Sequence, residues 1–166
     1  RLNGRPFVVR SSSLLEDHLD YSFAGQYDTV FCPNQASQSE NFEALLTAIR
    51  QVYASTFNPD AMMARQQHEL IDYDERMAIM IQPLIGHRYG RYFLPTIGGA
   101  GLSQNPWYNP EENHTKDGCI RMTLGLDERV HTPIPESKGC IITLGSPTYL
   151  NDSKKLIQQK VKVVDL

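Results

Sequence analysis

Cysteine is scarce in this sequence. Cys32, Cys119 and Cys140 are its three cysteines among 166 residues, odd in number and widely spaced. That pattern argues against a disulfide framework or a zinc knuckle. Free thiols in a reducing cytoplasm are the simplest reading. Positive charge is not in excess either: 16 Lys and Arg face 19 Asp and Glu, for a net charge of -3. The chain therefore has no basic footprint for nucleic acid. It has no apolar run of 18 residues, so no membrane span is expected. No internal repeat or low-complexity segment is visible. None of the five histidines has metal-ligand spacing, and no phosphohistidine motif is present. No signal peptide is recognisable, and a chain that opens on Arg1 rather than Met reads as a piece of something longer. The glycosylation patterns at Asn113 and Asn151 matter only in a secreted protein.

What remains is ordinary globular composition, 40% hydrophobic and 21% charged, enough for one domain with a sizeable core. Residues 7–9 and 29–32 read as short strands. Ser37 and Glu40 form a capping box that opens a helix, with Phe42, Leu45, Leu46, Ile49, Val52 and Tyr53 on one face. Asn58 and Pro59 look like an N-cap with proline in the first helical position, starting a second helix to about Leu70. Its Met62 and Met63 are expected to fill core gaps. Residues 77–85 are nearly all apolar, as in a strand buried on both faces, with Gln82 and Pro83 interrupting its far end. Residues 86–90 read as a turn and 91–95 as a returning edge strand. Strands are expected at 119–124, 140–144 and 160–164, and a helix at 152–159. The connection 125–139 is long and proline-punctuated, as functional loops often are. Uneven alternation of strands and helices indicates an α+β domain, with a mixed or antiparallel sheet and flanking helices.

The densest chemistry lies between Val8 and Asn34. Two β-branched residues lead into Arg10, then Ser11, Ser12 and Ser13, a polar connection, and Phe23, Ala24, Gly25 and Gln26. A polyphosphate would use such a set. Arginine offers a planar fork of donors, serines offer hydroxyls, and glycine lets backbone approach a ligand. Composition alone favours the plainer reading, a solvated arginine at a strand end followed by a serine-rich turn. Residues 98–101 (Gly-Gly-Ala-Gly) could cradle phosphate through backbone N–H groups, but a tightly packed glycine strand or bulge is the better account. Arg121 could face a nucleotide or pair with a carboxylate.

Four blocks in order resemble the nucleotide-binding domain of the phosphoenolpyruvate synthase and pyruvate phosphate dikinase family. They are residues 8–17 with 22–31, then 74–82 (Asp-Glu-Arg-Met-Ala-Ile-Met-Ile-Gln), then 99–106, then 125–128 (Gly-Leu-Asp-Glu). The resemblance covers about residues 6–165 and shifts the balance toward the phosphate reading. It implies a partial ATP-grasp-like fold with ATP and magnesium as ligands of the parent protein. It also implies that Arg10 contacts nucleotide phosphates, as the one residue with a catalytic role, with Ser11 and Ser12 beside it. Gly25, Gln26 and Thr29 fall in a loop that closes over the nucleotide. Gln82 falls at the hinge beside the adenine, where an ordinary strand-end polar residue is an equal reading. Glu128 matches the family's magnesium ligand, a hard-cation site suited to carboxylate oxygen.

The resemblance further implies a parent reaction in which a phosphoryl group passes from ATP through a histidine to pyruvate. The lysine-bearing lobe, the histidine domain and the pyruvate-binding barrel of that family have no counterpart in residues 1–166, so the piece alone is expected to be inactive. Asp127 stands where the family has glycine, and no arginine follows Glu128 at the family's spacing. These departures keep two alternatives open: a non-catalytic nucleotide-sensing domain, and a phosphotransferase acting on an acceptor other than pyruvate.

Overall fold

The computed structural model describes residues 4–16, 23, 25–104, 117–126, 140–144 and 161–166. The chain is α+β and divides into two compact units, Arg1–Phe93 with Val164–Leu166, and Leu94–Val163. The described strand pairs are antiparallel. No helix among the described residues is long and apolar enough to cross a membrane.

The first unit is built on a three-stranded sheet in the order β2-β1-β3: β1 is Phe7–Ser12, β2 is Thr29–Cys32 and β3 is Ala78–Pro83. Helix α1, Gln38–Ala54, covers one face of it. Ser37 caps that helix as expected: its hydroxyl accepts the Glu40 N–H, and the Glu40 carboxylate accepts the Ser37 N–H. The Ser37 hydroxyl also donates to that carboxylate at 2.6 Å, and this bond, with the one from the Ser37 N–H, holds the Glu40 carboxyl below its usual range. Phe7, Val9 and Cys32 from the sheet pack with Ala48 and Val52 of α1, joined by Val30, Leu45, Ile49 and Ile79. The buried stripe of α1 is thus 45, 48, 49 and 52, one clean helical face. Phe42 and Tyr53, expected on that face, are 56% and 48% exposed. They lie on the flank of that stripe: Tyr53 follows fully buried Val52 by one residue, a rotation of about 100° around the helix.

A 3-10 turn, Ser55–Phe57, leads into α2, Pro59–Gln67. Pro59 occupies the first turn as expected, but the Asn58 side chain makes no cap bond and donates to Asp28 instead. Helix α2 ends three residues short of Leu70. Buried Arg65 closes the following segment by donating to the carbonyls of Leu70, Ile71 and Tyr73. Met63 is 53% exposed rather than core, because α2 buries the face of Ala61 and Arg65. A second cluster of Leu15, Phe23, Tyr27 and Ala61 completes the unit.

Strand β3 overturns the expectation of burial on both faces. Among the described residues it is an edge strand, and most of its residues are exposed. Apolar composition signals a strand but not its place in the sheet, and Pro83 marks an edge because it cannot donate a ladder bond. Residues 86–90 are likewise not only a turn: β4, His87–Tyr89, precedes a tight reversal at Gly90, which adopts φ +62°. Strand β5, Tyr92–Leu94, is central rather than edge, lying between β4 and β9, Val164–Asp165. Arg91 pairs with Asp165 there, holding that carboxyl below its ordinary range.

The second unit contains the sheet β6-β7-β8, with β6 at Gly98–Gln104, β7 at Asp117–Thr123 and β8 at Cys140–Thr143. The glycine run is therefore a strand, as its plainer reading held. A Cβ on Gly99 would lie 2.0 Å from the Arg121 carbonyl oxygen. Gly125, at φ +78°, bridges to Lys162, and the Leu126 N–H donates to the Lys162 carbonyl. Cys32 and Cys119 are free and buried, and burial pushes both thiols up, away from reactivity. The helix expected at 152–159 lies outside the described residues.

Candidate functional site

Strand β1 runs through Arg10, Ser11 and Ser12, so these residues alternate between two faces of a sheet. Phe7, Val9 and Ser11 point toward α1, while Val8, Arg10 and Ser12 take the opposite face. Directly opposed residues of an antiparallel ladder share a face. Arg10 is opposite Thr29 on one side and Met80 on the other, Ser12 is opposite Ala78, and Val8 is opposite Gln82. The register thus gathers Arg10, Ser12, Thr29 and Gln82 on the face turned away from α1. Thr29 is a direct neighbour of Arg10. Gln82 is diagonal to it, about 7–8 Å away, within reach of a long side chain.

Arg10 and Ser12 are exposed, and among the described residues no partner holds the Arg10 guanidinium. Ser11 is different: it is buried on the helix side and its hydroxyl donates to Glu16 Oε1 at 2.8 Å. The Ser13 N–H donates to the other Glu16 oxygen at 2.7 Å. The serine run is thus divided between a folded turn and an open face.

Gly25 lies in a turn closed by the Gln26 N–H on the Phe23 carbonyl. It adopts φ +83°, which favours glycine on conformational grounds. An added Cβ would meet nothing within 4 Å, so packing does not demand glycine here. The next residues are tied down firmly. The Tyr27 hydroxyl donates to Glu75 Oε2 at 3.2 Å, and the Ser13 hydroxyl donates to Glu75 Oε1 at 2.6 Å. Asp28 receives the Gln51 and Asn58 amides, and its N–H donates to the Ser55 hydroxyl. Tyr27, Asp28 and Glu75 were not singled out from sequence, and Ser13, read there as a candidate phosphate hydroxyl, is instead bonded to Glu75. The one pointer was the placing of Glu75 at the head of a shared block, just before an apolar strand.

Arg121 is buried on β7 in the second unit, opposite Ala100. Glu128 and Asp127 lie outside the described residues. Among the described residues no group of three or more His, Cys, Asp or Glu is placed to hold a metal ion.

The Arg10 and Ser12 end of this face, with a solvent-facing arginine and two hydroxyls, suits an anionic ligand. Residues 2–141 match the family described as pyruvate phosphate dikinase, AMP/ATP-binding domain. The chain belongs to that family. Over 70 residues it is also 40% identical to the phosphoenolpyruvate synthase of Escherichia coli (strain K12). That match takes in 42% of this chain and 8% of the enzyme, so the chain corresponds to a small part of its relative.

Proposed function

We propose that this chain forms the phosphate-contacting core of an ATP-binding domain of ATP-grasp type, within a larger phosphoenolpyruvate synthase-like phosphotransferase. The observation that carries the reading is Arg10, exposed and without a partner among the described residues, in register with Thr29 and beside exposed Ser12. Arginine is the side chain whose fixed fork matches phosphate oxygens. In this reading Arg10 grips the phosphates, Thr29 and Ser12 add hydroxyls, and Gln82 lies toward the base. The Gln26 N–H is spent on its turn, so the Gly25 N–H and the Gln26 side chain are what that segment offers a nucleotide. Ser11, bonded to Glu16, supports the turn after β1 rather than the ligand.

Phosphoryl transfer depends mainly on positioning and on neutralising phosphate charge, and Arg10 supplies both. Glu128 would hold magnesium, whose charge would help to neutralise the phosphates. The parent enzyme would pass the phosphoryl group to a histidine and on to pyruvate through domains beyond this chain.

The test is calorimetric titration of the full-length protein with ATP and magnesium. A charged hydrogen bond is worth about 1.5–3 kcal/mol, so Arg10→Ala should weaken binding by roughly tenfold or more. Unchanged affinity would overturn the role of Arg10.

A further inference from the structure

Three sequence blocks meet at one carboxylate. Ser13 immediately follows β1, Tyr27 lies two residues before β2, and Glu75 lies three residues before β3. All three stand at the end of the sheet that carries Arg10, Ser12 and Thr29. The ladder between β1 and β2 stops at Arg10 and Thr29, whereas β1 and β3 stay paired to Ser12 and Ala78. Beyond Arg10, then, β1 and the chain entering β2 part company, and side chains take over from the backbone. Glu75 accepts Ser13 on one oxygen and Tyr27 on the other.

We infer that Glu75 is a positioning residue that fixes residues 25–29 relative to Arg10 and so sets the geometry of the phosphate-facing end of the sheet. The inference rests on the phosphate reading above. Its chemistry is that of charge-assisted hydrogen bonds, roughly twice as strong as neutral ones. Both donors are buried, where such bonds meet little competition from water. The Ser13 hydroxyl accepts the Leu15 N–H at 3.0 Å, which leaves its proton for Glu75. Tyr27 keeps its proton across the physiological range. Its pKa is pushed up to about 12, mainly by burial, with the Glu75 charge adding and Ser13 and Arg65 opposing. Asp28 anchors the next residue to Gln51, Ser55 and Asn58. Thr29 is thus delivered opposite Arg10 by a chain tethered at two consecutive residues.

The experiment titrates the full-length protein with ATP and magnesium, using Glu75→Gln and Tyr27→Phe, each alone and combined with Arg10→Ala. Tyr27→Phe keeps the buried ring, so its fold is safe even where Glu75→Gln proves unstable. Each single substitution should weaken ATP binding by about threefold to tenfold, within the range of coupling between contacting groups. In the Arg10→Ala background the same change should weaken it by less than about twofold, because the group being positioned against is gone. Amide exchange at residues 25–29 should quicken in Tyr27→Phe. If Arg10→Ala weakens binding while Tyr27→Phe binds as wild type, the positioning role is overturned and the phosphate reading stands. Equal losses in both backgrounds also overturn it, since they indicate an effect independent of Arg10. Unchanged affinity in Arg10→Ala removes the phosphate reading and this inference with it.

Discussion

Ser11, Ser12 and Ser13 are chemically identical neighbours with three separate fates. Ser11 bonds Glu16, Ser13 bonds Glu75, and Ser12 is left exposed beside Arg10. The sequence offered three candidate hydroxyls. Strand alternation separates the first two, and the turn after β1 takes the third. Arg10 and Thr29 were legible as a pair of motif residues, but their being direct neighbours follows only from the β1–β2 register. Glu75 was not legible, because its partners lie 62 and 48 residues away. Tyr27 carries a prediction at this scale. Its pKa of about 12 lies above the ordinary value of 10.0, so the folded state holds the phenol proton more tightly than the unfolded chain. The stabilisation is complete below pH 10 and is lost as pH rises toward 12. Urea midpoints measured from pH 8 to 12 should fall across that window in the wild type and fall less in Tyr27→Phe. Parallel curves would remove the Tyr27 contribution.

At the level of elements, local signals were read well and sheet position was not. The capping box at Ser37 and the strand 29–32 stand where expected, because both are written in a few adjacent residues. The two-sided burial expected of 77–85 failed because edge or centre is decided by partners far along the chain. The same holds for β5, expected at an edge and found between β4 and β9. Two substitutions test the elements. Ser37→Ala removes a cap and should cost about 1 kcal/mol in chemical denaturation, without changing the denaturant slope. Gly99→Ala would drive a methyl into the Arg121 carbonyl. The β6–β7 backbones must then separate, at an expected cost of about 1–3 kcal/mol. Gly101→Ala is the control, since its added Cβ meets nothing within 4 Å and should change stability far less. Equal effects at the two positions would rule out close backbone approach as the reason for Gly99.

For the whole molecule, family membership rests on 140 matched positions (2–141) rather than on one motif. The sequence could be placed in its family because four blocks fall in order. The division into two compact units was not legible, since it depends on which strands close on which. If the parent protein binds ATP through this domain, ligand present at 100 times its dissociation constant should add about 2.7 kcal/mol of stability. Thermal melts of the full-length protein with ATP and magnesium should therefore rise, and rise less in Arg10→Ala at the same ligand concentration. An identical rise in both proteins would place the binding energy elsewhere.

The sheet order β2-β1-β3 also has a consequence for synthesis. Strand β1 finds β2 within a few tens of residues, but its other edge waits for β3, with Val8 and Gln82 74 positions apart. At about 5–20 residues per second, a ribosome needs roughly 4–15 s to make that stretch. For those seconds the nascent chain exposes one open edge of its central strand, so pauses between codons 12 and 78 should lower soluble yield more than pauses placed after 83.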